Sequence, residues 1–94
     1  MSEIAFEISC QELLKQKQWE KLEMAAIDQL DLAKAKSPKG YFYLGVALYK
    51  MRFYQQSIEA FKRSDELQSK DGNRQLGKDP QIEYNLGLAY FKNE

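Results

Sequence analysis

Cys10 is the one thiol in this 94-residue sequence, and no histidine occurs anywhere to activate it. That removes Cys–His and Ser–His–Asp nucleophilic systems, and with them most zinc sites. Cys10 is therefore expected to be a small apolar side chain on a packing face. The carboxylates stand beside cations, as in Glu12/Lys15, Glu20/Lys21 and Glu59/Lys62/Arg63, which is the pattern of solvated helix surfaces rather than of a paired acid and base. The glycines are single. Gly72 and Gly77 have neither the spacing nor the preceding strand of a phosphate-cradling loop. The expectation is a chain with no catalytic, cofactor-binding or metal-binding residues, and so not an enzyme.

What recurs at regular spacing is apolar and aromatic. The stretch from Gly40 to Lys50 is echoed from Glu83 to Lys92. When Gly45 is set over Gly87, Leu44, Ala47 and Lys50 fall on the identical residues Leu86, Ala89 and Lys92. Phe42/Tyr84, Val46/Leu88 and Tyr49/Phe91 are like-for-like. Each copy is preceded by a helix N-cap and a proline, Ser37-Pro38 and Asp79-Pro80. Glycine costs about 1 kcal/mol against alanine inside a helix, so its recurrence implies a place where a neighbouring helix comes close.

Five helices follow from period and punctuation, all in one domain spanning residues 1–94. The first runs from Glu3 to about Lys17, with Phe6, Cys10, Leu13 and Leu14 on one face. The second begins at Trp19 and ends near Lys36, before Ser37-Pro38. The third occupies about Pro38 to Met51. The fourth opens at Tyr54, with Ile58, Phe61 and Leu67 as its apolar stripe. Turn residues at 69–79 read as a loop, and the fifth helix starts at Pro80. No period-2 run supports a strand, so the fold class is all-α. Short connections imply antiparallel helix-turn-helix pairs. Fourteen basic residues cancel fourteen acidic ones, which gives no field to draw nucleic acid or a membrane surface. A lone cysteine and the lack of a leader or membrane-spanning run point to the cytoplasm.

Residues Tyr41 to Leu67 resemble one tetratricopeptide repeat. Tyr41, Leu44-Gly45, Ala47 and Tyr49 match its helix A, although Leu48 stands where a tyrosine is usual. Tyr54, Ser57, Phe61 and Ser64 match its helix B. Pro80 to Lys92 resembles the helix A of a following repeat, with Tyr90 in the place where Leu48 departs. Cys10 takes the glycine position of a degenerate first repeat, thirty-five residues before Gly45, against a family period of about 34. The resemblance implies about two and a half repeats: one at about 3–36, one at about 38–68, a loop at 69–79 and a helix A at 80–94. It also implies a right-handed α-α solenoid.

The resemblance further implies a protein-protein interaction module that holds a peptide or helix of a partner in a concave groove lined by the A helices. Carried over by position, the groove residues are Phe42, Tyr43, Val46, Tyr49 and Lys50 from the third helix. The fifth contributes Gln81, Tyr84, Asn85, Leu88, Phe91 and Lys92, and the first Glu7, Ile8, Gln11, Leu14 and Lys15. The carboxylate clamp of chaperone-tail binders is not reproduced, since Glu7, Gln11, Tyr43 and Gln81 stand at its positions. The fifth helix has no helix B after it, leaving Leu86, Tyr90 and Phe91 with an unfilled side. Two alternatives follow. The chain is the N-terminal, non-catalytic segment of a larger enzyme such as a glycosyl- or sulfo-transferase, or it is a structural unit that forms a homodimer through its uncapped last helix.

Overall fold

The computed structural model describes residues 3–70 and 80–92. It contains α1 (Glu3–Lys15), α2 (Trp19–Leu32), α3 (Pro38–Lys50), α4 (Tyr54–Lys70) and α5 (Pro80–Lys92). No strand occurs among the described residues, in agreement with the all-α expectation. The loop expected at 69–79 is shorter at its start, because Ser69 and Lys70 close α4; positions 71–79 lie outside the described residues. No described helix is long and apolar enough to cross a membrane.

α2 ends at Leu32, four residues before the expected Lys36. Lys34 and Ala35 both take left-handed backbone, with φ of 53° and 60°, and the Ala35 N–H closes onto the Leu30 carbonyl at 2.7 Å. The alanines extend the helical pattern, but this left-handed pair turns the chain. Ser37 then caps α3 as its sequence position implies, its Oγ accepting from the Gly40 N–H at 2.9 Å, with Pro38 in the first turn.

The two other described turns are copies of each other. Lys17 and Arg52, thirty-five positions apart in sequence, carry φ of 57° and 71°. In each case the next N–H reaches back five residues, Gln18 to Leu13 at 3.0 Å and Phe53 to Leu48 at 2.8 Å. This is the closure of a Schellman motif, made here without glycine. It explains why the break before Trp19 is weakly marked in the sequence.

Each helix packs on the next, and α3 also meets α5. The core holds Phe6 and Cys10 of α1, Leu22 and Ala26 of α2, Tyr43, Val46 and Ala47 of α3, and Phe61 of α4. Two buried serines set how α4 lies on α3. Ser57 Oγ donates to the Gly45 carbonyl at 2.8 Å, and Ser64 Oγ donates to the Pro38 carbonyl at 2.7 Å. Seven residues forward on α4 match seven residues backward on α3, so this pair is antiparallel. Both hydroxyls are fully buried and both are satisfied, which avoids the cost of about 1–3 kcal/mol for an unpaired buried polar group.

Candidate interaction surface

The candidate residues of α3 divide between two neighbours. Phe42 and Tyr49 face α4: the Phe42 ring lies 5.9 Å from that of Phe61, and Tyr49 meets Tyr54 edge-on at 5.5 Å. Gly45 lies between them. A Cβ at this position would stand 2.7 Å from two carbons of the Phe61 ring, so only a glycine lets that ring down onto the helix. The close approach expected of Gly45 is therefore made, and its partner is α4.

Tyr43 and Val46 lie instead in the core, 5% and 8% exposed. The Tyr43 ring packs edge-on against Phe6 at 5.7 Å. Burial, and then the negative charge of Glu7, raise the Tyr43 hydroxyl pKa, while a hydrogen bond with Gln11 acts the other way. Above this contact Lys39 Nζ donates to Glu7 Oε2 at 2.5 Å, tying α3 to α1 a second time. The α1–α3 part of the expected groove is thus largely spent on internal contacts. Of the other α1 candidates, Ile8 is 62% exposed, Leu14 is half-buried, and Gln11 and Lys15 are exposed. Lys50 is exposed, with its ammonium 5.6 Å from the Trp19 ring and 6.0 Å from that of Tyr49. That cation–π placement had no sequence signal, because it joins the ends of two helices.

α5 is arranged differently. Ala89 is fully buried and Leu86 packs against the core, so one side of the helix is seated. Tyr84, Gly87, Leu88 and Phe91, at i, i+3, i+4 and i+7, share the opposite side. Tyr84 is 68% exposed and Phe91 64%, and nothing lies within 4 Å of a Cβ built on Gly87. Leu88 and Asn85 are half-buried and Lys92 is exposed; the side chain of Gln81 lies outside the described residues. Tyr90 turns toward α4, where the Lys62 ammonium stands 5.5 Å from its ring and the neighbouring Tyr90 hydroxyl raises the lysine pKa. The close approach expected of Gly87 is not made within the described chain.

Cys10 is completely buried in the core. Burial, helped by the charge of Glu7, pushes its pKa up to about 12, so the group stays a thiol at neutral pH. No described cluster of His, Cys, Asp or Glu has the make-up of a metal site. One surface feature had no forerunner in the sequence reading. A groove of about 380 Å³ opens where α2, α3 and α4 cross, floored by Leu44, Leu48 and Ala60 and rimmed by Glu23, Glu59 and Arg63. Compared with known protein families, characterised proteins and solved structures, the chain matches none.

Proposed function

We propose that this chain is a protein–protein interaction module of the tetratricopeptide type, built as an α-α solenoid of about two and a half repeats. Its docking surface is the open face of α5, the side on which α3 is covered by α4. The repeat reading is supported by the two identical turns at Lys17 and Arg52, and by the meeting of α1 with α3 and of α3 with α5. One observation carries the binding role: Tyr84, Leu88 and Phe91 form an aromatic-aliphatic stripe whose counterparts on α3 are covered. Large aromatics in solvent on one helix face are the raw material of a protein interface. With Lys92 at its edge, the stripe suits the apolar face of a helix or strand that carries a carboxylate alongside.

The test is selection of peptides from a displayed random library against the wild-type chain, followed by affinity measurement on Phe91→Ala and Tyr84→Ala. Each substitution is expected to weaken the selected peptides at least ten-fold, about 1.4 kcal/mol or more, with the helical circular dichroism signal unchanged. Recovery of no peptide, or equal affinity for all three proteins, overturns the reading. Tyr43→Ala does not serve here, because Tyr43 is core and its loss reports on folding.

A further inference from the structure

We infer that the open face of α5 is covered by α5 of a second copy of this chain, paired antiparallel about a two-fold axis at Gly87. This rests on the interaction-module reading and names the partner of its last helix.

The argument begins from the pair the structure already contains. α3 is covered by α4 through Phe42–Phe61 at one end, Tyr49–Tyr54 at the other, and the Phe61 ring with Ser57 over Gly45 between them. α5 repeats the covered helix, with Tyr84, Gly87 and Phe91 in the places of Phe42, Gly45 and Tyr49. It also repeats the covering helix. Tyr54, Ser57, Ile58 and Phe61 recur thirty positions later as Tyr84, Gly87, Leu88 and Phe91. Tyr84, Leu88 and Phe91 can therefore play both parts; Gly87 plays the notch but has no hydroxyl to repeat the Ser57 bond.

The register then closes on itself. Carrying the α3–α4 contacts onto two copies of α5, Phe42–Phe61 becomes Tyr84 against the second copy's Phe91. Tyr49–Tyr54 becomes Phe91 against the second copy's Tyr84. These are one contact seen twice, the condition for an isologous two-fold interface. Gly87 falls opposite Gly87, where the absence of a Cβ on both helices allows the backbones to approach.

The experiment is sedimentation equilibrium of the full chain across the micromolar range, on three proteins. The wild type is expected to move from 11.0 kDa toward twice that mass with rising concentration. Phe91→Glu is expected to stay monomeric at every concentration, with unchanged helicity because the side chain already stands in solvent. Tyr84→Glu should abolish or weaken association likewise, since Tyr84 is set against Phe91 of the second copy. A wild type that remains monomeric throughout overturns the inference, as does a dimer untouched by Phe91→Glu. A dimer lost with Phe91→Glu but kept with Tyr84→Glu overturns the antiparallel register. A monomer that still captures peptides through Phe91 removes the second copy and leaves the module standing; a dimer that captures none does the reverse.

Discussion

α3 and α5 carry the same Leu-Gly-x-Ala core, and on one side they behave alike. Ala47 and Ala89 are both fully buried, and Leu44 and Leu86 both pack against the core. On the other side they part. Gly45 lies under the Phe61 ring, while Gly87 faces nothing within 4 Å. Phe42 and Tyr49 have aromatic neighbours on α4, whereas Tyr84 and Phe91 stand in solvent. The difference shows what a small residue in a helix specifies. Glycine makes a notch, and the notch is half of a contact. The other half, a phenylalanine ring with a serine hydroxyl beside it, belongs to another helix.

The largest effect that tests this comparison comes from removing the filling half. Phe61→Ala empties the notch over Gly45 from inside the core and is expected to cost about 3–5 kcal/mol in urea denaturation. Phe91→Ala, at the matching place on the open face, should move stability by no more than about 0.5 kcal/mol at low protein concentration. Equal losses from the two would show that α5 is already covered within the chain, and the comparison would fail.

A smaller effect is expected at the notch itself. Gly45→Ala gains helix propensity of about 1 kcal/mol but sets a methyl 2.7 Å from two Phe61 carbons, well inside normal contact. Overpacking typically costs about 1–3 kcal/mol, and the shift also strains the Ser57 bond to the Gly45 carbonyl. The net expectation is a loss of up to about 2 kcal/mol, read as a lower denaturation midpoint with unchanged slope. A gain would mean that α4 sits farther from α3 than its ring contacts place it.

Most of the helices were legible in the sequence because their signals are local. Ser37-Pro38, the aromatic period of α3 and the stripe of α4 each fix an element without reference to the rest. The end of α2 was not legible, since Lys34 and Ala35 adopt left-handed backbone that their side chains do not advertise. The site was legible as a set of residues but not as a surface. Tyr43 and Val46 share a face with Lys50 by period, yet whether that face meets water depends on where Phe6 and Glu7 arrive from α1. Spacing along one helix cannot carry that information. It needs the crossing of two.

Gly87→Ala is a small change of opposite sign, and the one that separates the two conditions of α5 most cleanly. In an uncovered helix the new methyl meets nothing, so the substitution keeps only the backbone benefit and should stabilise the chain by about 0.5–1 kcal/mol. If α5 pairs with a second copy about Gly87, two methyls meet at the closest point of that pair and association weakens. Thermal melts at low and high concentration then give opposite orders. The variant should melt above the wild type when both are dilute and lose that lead as the wild type gains stability from pairing by mass action. A lead held at every concentration says that the face of α5 is open and stays open. The opposite sign at both concentrations says that something within the chain already fills the notch, as Phe61 fills its counterpart on α3.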